Sequence, residues 1–417
     1  MTFALVDGNN FYASVEAIFQ IALRGKPLVV LSNNDGCAIA RSAEAKALGI
    51  KMGQPAHELR GLVRSHGLLM RSANFTLYGD MSARVLAILR DASPRVEPYS
   101  IDESFIDLSG VRDRIGFAKE LRDRIRRWTG VPNCIGIGPT KTLAKAANKL
   151  AKRGPGVVDL TDTAARSAGL ADFAVGDVWG VGPRWEAKLN ALGIETAAAL
   201  RDASPELIVG RFGVVLARTQ RELQGYPCAG IEPTEPDRQQ IMVSRSFGER
   251  VTDHAAVAEA LATFAARATE KLRNGGLTAG AVWIFANSDV FRPELPQHHP
   301  SRAVTLPRPT MDTRGVLQAV SLLFRGFLRD GYAYKRAGVA LLDLARPERL
   351  QPDMFRSAVA GDPALMATLD AINRRFGRGT AEFAATGWRT NPVWAMRQRN
   401  VSPRYTTRWA ELPSVAC

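Results

Sequence analysis

Cysteine is scarce in this chain. Among 417 residues there are four, Cys37, Cys134, Cys228 and Cys417, and no C-x-x-C pair. That spacing argues against a disulfide framework and against a cysteine-ligated zinc site. Free thiols fit a reducing compartment, so a cytoplasmic protein is expected. Histidine is nearly as rare: there are five, with one close pair, His298-His299, and no cysteine beside it. No apolar run approaches the roughly 20 residues that a membrane helix needs. The N-terminus meets an acid at Asp7 with no basic segment before it, which does not read as a signal peptide.

Acid is also in short supply. Aspartate and glutamate number 41 against 55 lysines and arginines, a net charge of +14. Such a surplus favours polyanionic partners, nucleic acid first. An anionic membrane would want a basic amphipathic helix or a lipid anchor, and neither is evident. What is present is ordinary globular material, 46% hydrophobic and 23% charged, in a chain long enough for two to four domains.

Residues 3–6 form a short apolar run closed by Asp7-Gly8-Asn9-Asn10, a buried strand and then a turn. Residues 11–23 read as a helix and 28–31 as a second strand. Asn33-Asn34-Asp35-Gly36 has hairpin chemistry. Residues 99–108 alternate as a strand would, which puts Asp102 and Glu103 on opposite faces unless a bend lets them converge. Cys134-Ile135-Gly136-Ile137-Gly138 is a glycine-punctuated strand. Residues 140–152 are helical, with an apolar stripe and a stripe of Lys141, Lys145, Lys149 and Lys152. From 171 to 231 the texture is that of a small all-α module, and 232–237 resembles a linker. Residues 241–345 return to mixed α/β. The last seventy residues show no clear core and end in a tail, 388–409, with five arginines, no acid and several aromatics. Such a tail suits single-stranded DNA or a protein partner.

Asp7 and the pair Asp102-Glu103 are the candidate chemistry. Nucleotidyl transfer uses two divalent ions roughly 3.5–4 Å apart. Hard cations such as Mg²⁺ take carboxylate oxygens. By spacing alone these acids read more readily as solvated surface groups than as a metal site. Their flanks decide. The segment from Asp7 to Glu16 and the segment Tyr99-Ser100-Ile101-Asp102-Glu103-Ser104-Phe105 resemble the two signature motifs of the Y-family DNA polymerases. Residues 45–53, 141–145 and Trp179-Gly180-Val181-Gly182 match in order. Within that family, the runs 31–37, 244–250 and 402–408 are most similar to the UmuC branch, the catalytic subunits of bacterial DNA polymerase V.

The resemblance implies an α/β and α+β multidomain right hand: a palm from 1–24 and 75–170, fingers from 25–74, a helix-hairpin-helix thumb from 171–235, a little finger from 241–345, and a C-terminal region, 346–417, with a clamp-binding motif and a basic tail. It implies an error-prone translesion polymerase of the SOS response. Asp7, Asp102 and Glu103 would hold two Mg²⁺ ions with the Gly8 carbonyl. Tyr12 would be the steric gate against ribose. Lys145 would contact the incoming triphosphate. Many relatives carry a Tyr and an Arg where this chain has Ala43 and Lys46, so Lys46 and Arg41 would grip the nucleotide without that arginine's bidentate fork. Gly180 and Gly182 would admit a DNA phosphate to the backbone. Gln351, Met354 and Phe355 resemble a clamp-binding motif. The partners implied are primer-template DNA, dNTP, the sliding clamp, processed UmuD and RecA. A relative that only recruits partners, or a non-enzymatic damaged-DNA or clamp-binding module, are the alternatives.

Overall fold

A computed structural model describes residues 1–232, 237–351, 361–387 and 392–412. The chain divides into two compact units, residues 1–235 with 400–417, and residues 236–399.

The first unit is organised on a five-stranded sheet. Phe3–Gly8 lies at its centre, antiparallel to both Glu103–Asp107 and Asn133–Gly138. Val96–Pro98 and Val157–Asp159 form the edges. The central strand is buried along its whole length, as its unbroken apolar run requires. Helices Phe75–Ala92 and Arg114–Thr129 contribute Leu77, Tyr78, Leu121 and Ile125 to the core with Val6, Ile106 and Ile135.

The glycines of Asn133–Gly138 have a steric reason. Helix Lys141–Lys152 lies directly on this strand. A Cβ at Gly136 would fall 2.0 Å from the Asn148 amide nitrogen and 2.3 Å from the Ala144 carbonyl oxygen. Backbone cannot yield as a side-chain tip can, so Gly136→Ala should cost about 3 kcal/mol or more by overpacking. A denaturation midpoint unchanged in Gly136→Ala would contradict that contact.

A smaller three-stranded sheet places Leu28–Leu31 between Ala38–Arg41, antiparallel, and Leu69–Ser72, parallel. The predicted turn at Asn33–Asp35 is present. Asn34 and Asp35 take left-handed backbone there, which Asn and Asp tolerate. Val29, Leu31, Ala45 and Leu59 make its own small core. The all-α region holds Thr163–Ala171, Pro183–Asn190, Ala197–Asp202 and Pro205–Gln224, the last bent at Gly213. Its core includes Leu143, Ala146 and Ala147, so the apolar stripe of the lysine helix faces these helices. Buried Glu222 accepts hydrogen bonds from the Thr142 amide (3.0 Å) and hydroxyl (2.5 Å), tying the last helix to that stripe.

The second unit is a four-stranded sheet, in the order Ser301–Thr310, Thr278–Ser288, Tyr334–Ala345, Ile241–Val251, antiparallel throughout, with helices His254–Asn274 and Thr313–Phe324 packed on it. Helix Pro363–Phe376 gives the C-terminal region more structure than the sequence suggests. Half-buried Arg273 holds Asp370 through two bonds of 2.7 Å and also donates to the Thr313 hydroxyl at 2.9 Å. The tail is divided between the units. Residues 400–412 belong with the first, where Ser402 and Tyr405 are buried.

Candidate active site

Asp7 ends the central strand and faces Glu103 in the register of the neighbouring one. Asp102 lies just before that neighbour, in a bend. The Ser100 hydroxyl makes the bend: it accepts from the Asp102 amide (3.3 Å) and the Glu103 amide (3.0 Å), and donates to the Asp102 carboxylate (2.7 Å). The Asp102 carbonyl accepts from the Gly8 amide at 2.9 Å, pinning the bend to the end of the central strand. Regular strand geometry would have separated Asp102 and Glu103. The bend brings both, with Asp7 and Gly8, to one cleft of ≈ 720 Å³.

The opposite wall comes from the small sheet and the helix after it. Arg41 ends its strand and donates to the Ile50 carbonyl at 2.8 Å. Lys46 lies on helix Ala43–Ala47, capped by the Ser42 hydroxyl. Lys152 reaches in from the last turn of the lysine helix. Arg41, Lys46 and Lys152 thus line one cleft with Asp7, Asp102 and Glu103, Lys152 in direct contact with Asp7. Burial, then the neighbouring charges of Arg41 and Lys152, lowers the Lys46 ammonium below its usual range. A site with three cations beside its acids suits a highly charged anion such as a triphosphate.

Asp7 is 5% exposed. Burial pushes its carboxyl up to about 7, the Glu103 carboxylate beside it adds to the rise, and the Lys152 ammonium, donating at 2.6 Å, restrains it. Glu103 accepts from Lys145 at 2.9 Å. The acids therefore hold lysine ammonium groups, and among the described residues no three His, Cys, Asp or Glu side chains are arranged as a ready cation cage. The donor set nevertheless fits divalent cations: two adjacent carboxyls, one of them costly to ionise, held by ammonium groups on flexible stems, with a third carboxylate bordering the same cleft.

Tyr12 sits in the first turn of helix Phe11–Phe19 and lines this cleft. Its ring stacks on Tyr78, centroids 4.5 Å apart at 14°, and meets Phe75 edge-on at 5.9 Å. Burial and then the Asp102 charge raise its phenol.

Lys145, the expected triphosphate contact, is held by Glu103. Bound to Glu103, it lies over the Tyr99 ring at 4.3 Å and near the Trp179 ring at 5.4 Å, off the cleft lining. The Trp179 indole N–H donates to the Tyr99 hydroxyl at 3.3 Å. The lysine of this stripe that lines the cleft is Lys152, two turns further along; only helical spacing marked it in the sequence. Gly180 takes φ +90°, which calls for glycine, whereas the space a Cβ would fill at Gly182 is open. Gly182 precedes helix Pro183–Asn190, so its missing side chain relieves no crowding within the protein. In the expected clamp motif, Gln351 is exposed, and Met354 and Phe355 lie outside the described residues. No described helix is long and apolar enough to cross a membrane.

Comparison with known proteins identifies the family. The impB/mucB/samB family matches residues 6–149 and its C-terminal domain matches 238–354. UmuC of Salmonella typhimurium strain LT2 is 45% identical, covering 98% of this chain and 99% of its own. The chain belongs to the impB/mucB/samB family. ImpB of Salmonella typhimurium is 44% identical over 99% of both chains. A DNA polymerase IV of Moorella thermoacetica is 34% identical over 89% of this chain and 93% of its own. Among solved structures, a Y-family DNA polymerase chimera of Dbh and Dpo4 superposes with a TM-score of 0.67 over 82% of this chain and 99% of its own, at 20% identity, which bears on the fold alone. The mixed α/β polymerase fold expected from the motifs is therefore the observed one. Residues 363–415 match a domain of unknown function, DUF4113.

Proposed function

We propose that this family member is an error-prone translesion polymerase that joins a primer 3′-hydroxyl to the α-phosphate of a dNTP with release of pyrophosphate. The observation that supports it is the convergence of Asp7, Asp102, Glu103 and Tyr12 on one cleft shared with Arg41, Lys46 and Lys152. Two Mg²⁺ ions, held by the three carboxylates and the Gly8 carbonyl, would supply the charge that activates the attacking oxygen and stabilises the leaving one. Arg41, Lys46 and Lys152 bind and orient the triphosphate. Without a bidentate fork from the Lys46 position, Arg41 is the one guanidinium lining the cleft among the described residues. Tyr12 excludes ribose. The backbone at Gly180 and Gly182 takes a phosphate of the duplex without reading its sequence. Lys145 holds Glu103 between substrates and is positioned to touch phosphate when Glu103 lets it go. The SOS setting, the sliding clamp, processed UmuD and RecA follow from the resemblance of the motifs to the UmuC branch.

The test is extension of a primer on intact and lesion-bearing templates by the full chain, its partners supplied, with and without Mg²⁺. Absence of Mg²⁺-dependent extension in every combination would overturn the reading. Its pH dependence has a fixed sign. Cation binding must displace the proton that Asp7 keeps up to about pH 7. The Mg²⁺ concentration needed for half-maximal binding should therefore rise roughly tenfold per pH unit below 7 and level off above it. A requirement flat from pH 5.5 to 8 would remove Asp7 from the cation site.

A further inference from the structure

The gate tyrosine is supported from the far end of the chain. Tyr12 rests flat on Tyr78, which is fully buried. The Tyr78 hydroxyl donates to Glu16 at 2.6 Å. Glu16 lies on the same helix as Tyr12, one turn on, and is fully buried. Burial raises its carboxyl, and its second oxygen has no hydrogen-bond partner. The other donor to Glu16 is the hydroxyl of Ser402, at 2.9 Å.

Ser402 is locked in turn. Asn74, which caps the helix carrying Tyr78, donates to the Ser402 hydroxyl (3.1 Å), the Ser402 carbonyl (2.9 Å) and the Pro403 carbonyl (3.2 Å). Asn400 and Ser72 exchange two bonds of 3.0 Å. Tyr405 stacks on Phe19 at 4.9 Å and 7°, and its hydroxyl accepts from Gln20 at 2.8 Å. Residues 400–405 thus form a strap across the back of the nucleotide site.

A buried carboxylate with two donors is a poor way to gain stability, since apolar side chains would pack there at lower cost. A satisfied buried polar chain does fix position. We propose that the C-terminal strap is a positioning element for sugar selection: Ser402 holds Glu16, Glu16 fixes the Tyr78 ring, and that ring sets the height of Tyr12 over the sugar. The inference rests on the reading of Tyr12 as the gate.

The experiment measures equilibrium binding of a dNTP and of the matching rNTP to the full chain on a dideoxy-terminated primer–template, which needs no turnover. The variants are Ser402→Ala, Tyr78→Phe, Ser402→Thr and Tyr12→Ala, each first compared with the wild type in a thermal melt. Loss of one buried bond to a charged group should lower the dNTP:rNTP affinity ratio about three- to tenfold in Ser402→Ala and Tyr78→Phe. Ser402→Thr keeps the hydroxyl and should keep the ratio. A merely structural strap would weaken both nucleotides equally or shift only the melt; an unchanged ratio in Ser402→Ala and Tyr78→Phe, alongside a collapsed ratio in Tyr12→Ala, overturns the proposal. An unchanged ratio in Tyr12→Ala overturns the gate reading and the strap with it.

Discussion

Asp7→Asn abolishes Mg²⁺-dependent primer extension, by roughly 10³-fold or more, and leaves the protein at least as stable as the wild type. The two halves have one cause. Asp7 is buried and ionises only near pH 7, against 3.8 for a free carboxyl. That difference corresponds to on the order of 4 kcal/mol. The sign follows from linkage. The folded chain keeps the Asp7 proton up to about pH 7, while the unfolded chain releases it near 3.8. This contribution to stability is therefore complete below about pH 4 and is lost as the pH rises through 7. Asparagine does not titrate, so it escapes the loss. Lys152 loses its partner, but its side chain is 40% exposed and water can take the charge. A melt at pH 8 should place Asp7→Asn at or above the wild type, and the two should converge only near pH 4. A variant that melts lower at pH 8 would make Asp7 a structural group. Asp102→Ala should lose extension comparably without the gain in stability.

What the sequence could and could not convey is visible at the same acids. Their flanking motifs identified Asp7, Asp102 and Glu103, but alternation alone sent Asp102 and Glu103 to opposite faces. The bend that unites them depends on one serine hydroxyl accepting two amides, and a short turn of that kind has no periodicity to read. The lysine stripe was legible as a stripe. Which lysine enters the cleft depends on where the helix begins and how closely it lies on Asn133–Gly138, a contact that only its glycines announced. Pro307 and Pro309 argue against the strand that the structure has at Ser301–Thr310. It lies at the sheet edge, where proline leaves no ladder bond unmade. The strap was hidden for another reason. Ser402 and Tyr405 stand among arginines and look like exposed tail, and their burial comes from partners more than 300 residues away.

Tyr12→Ala admits ribonucleotides, with the preference for dNTP falling on the order of 10²-fold. A steric gate discriminates only if it cannot retreat. Tyr12 has Tyr78 stacked behind it and Phe75 against its edge, so a 2′-hydroxyl meets a ring with no space to move into. Its own hydroxyl makes no hydrogen bond among the described residues and thus contributes little to the position of the ring. Tyr12→Phe should therefore keep the selectivity of the wild type, and Tyr12→Leu, flexible and unable to stack on Tyr78, should fall between Phe and Ala. The measurement is the kcat/KM ratio for dNTP over rNTP on one undamaged template. The same order in rates of dNTP insertion, with an unchanged ratio, would mean that Tyr12 packs the active site without reading the sugar. A drop in the ratio for Tyr12→Phe as large as that for Tyr12→Ala would transfer the discrimination from the ring to the hydroxyl, and the stack on Tyr78 would no longer explain it.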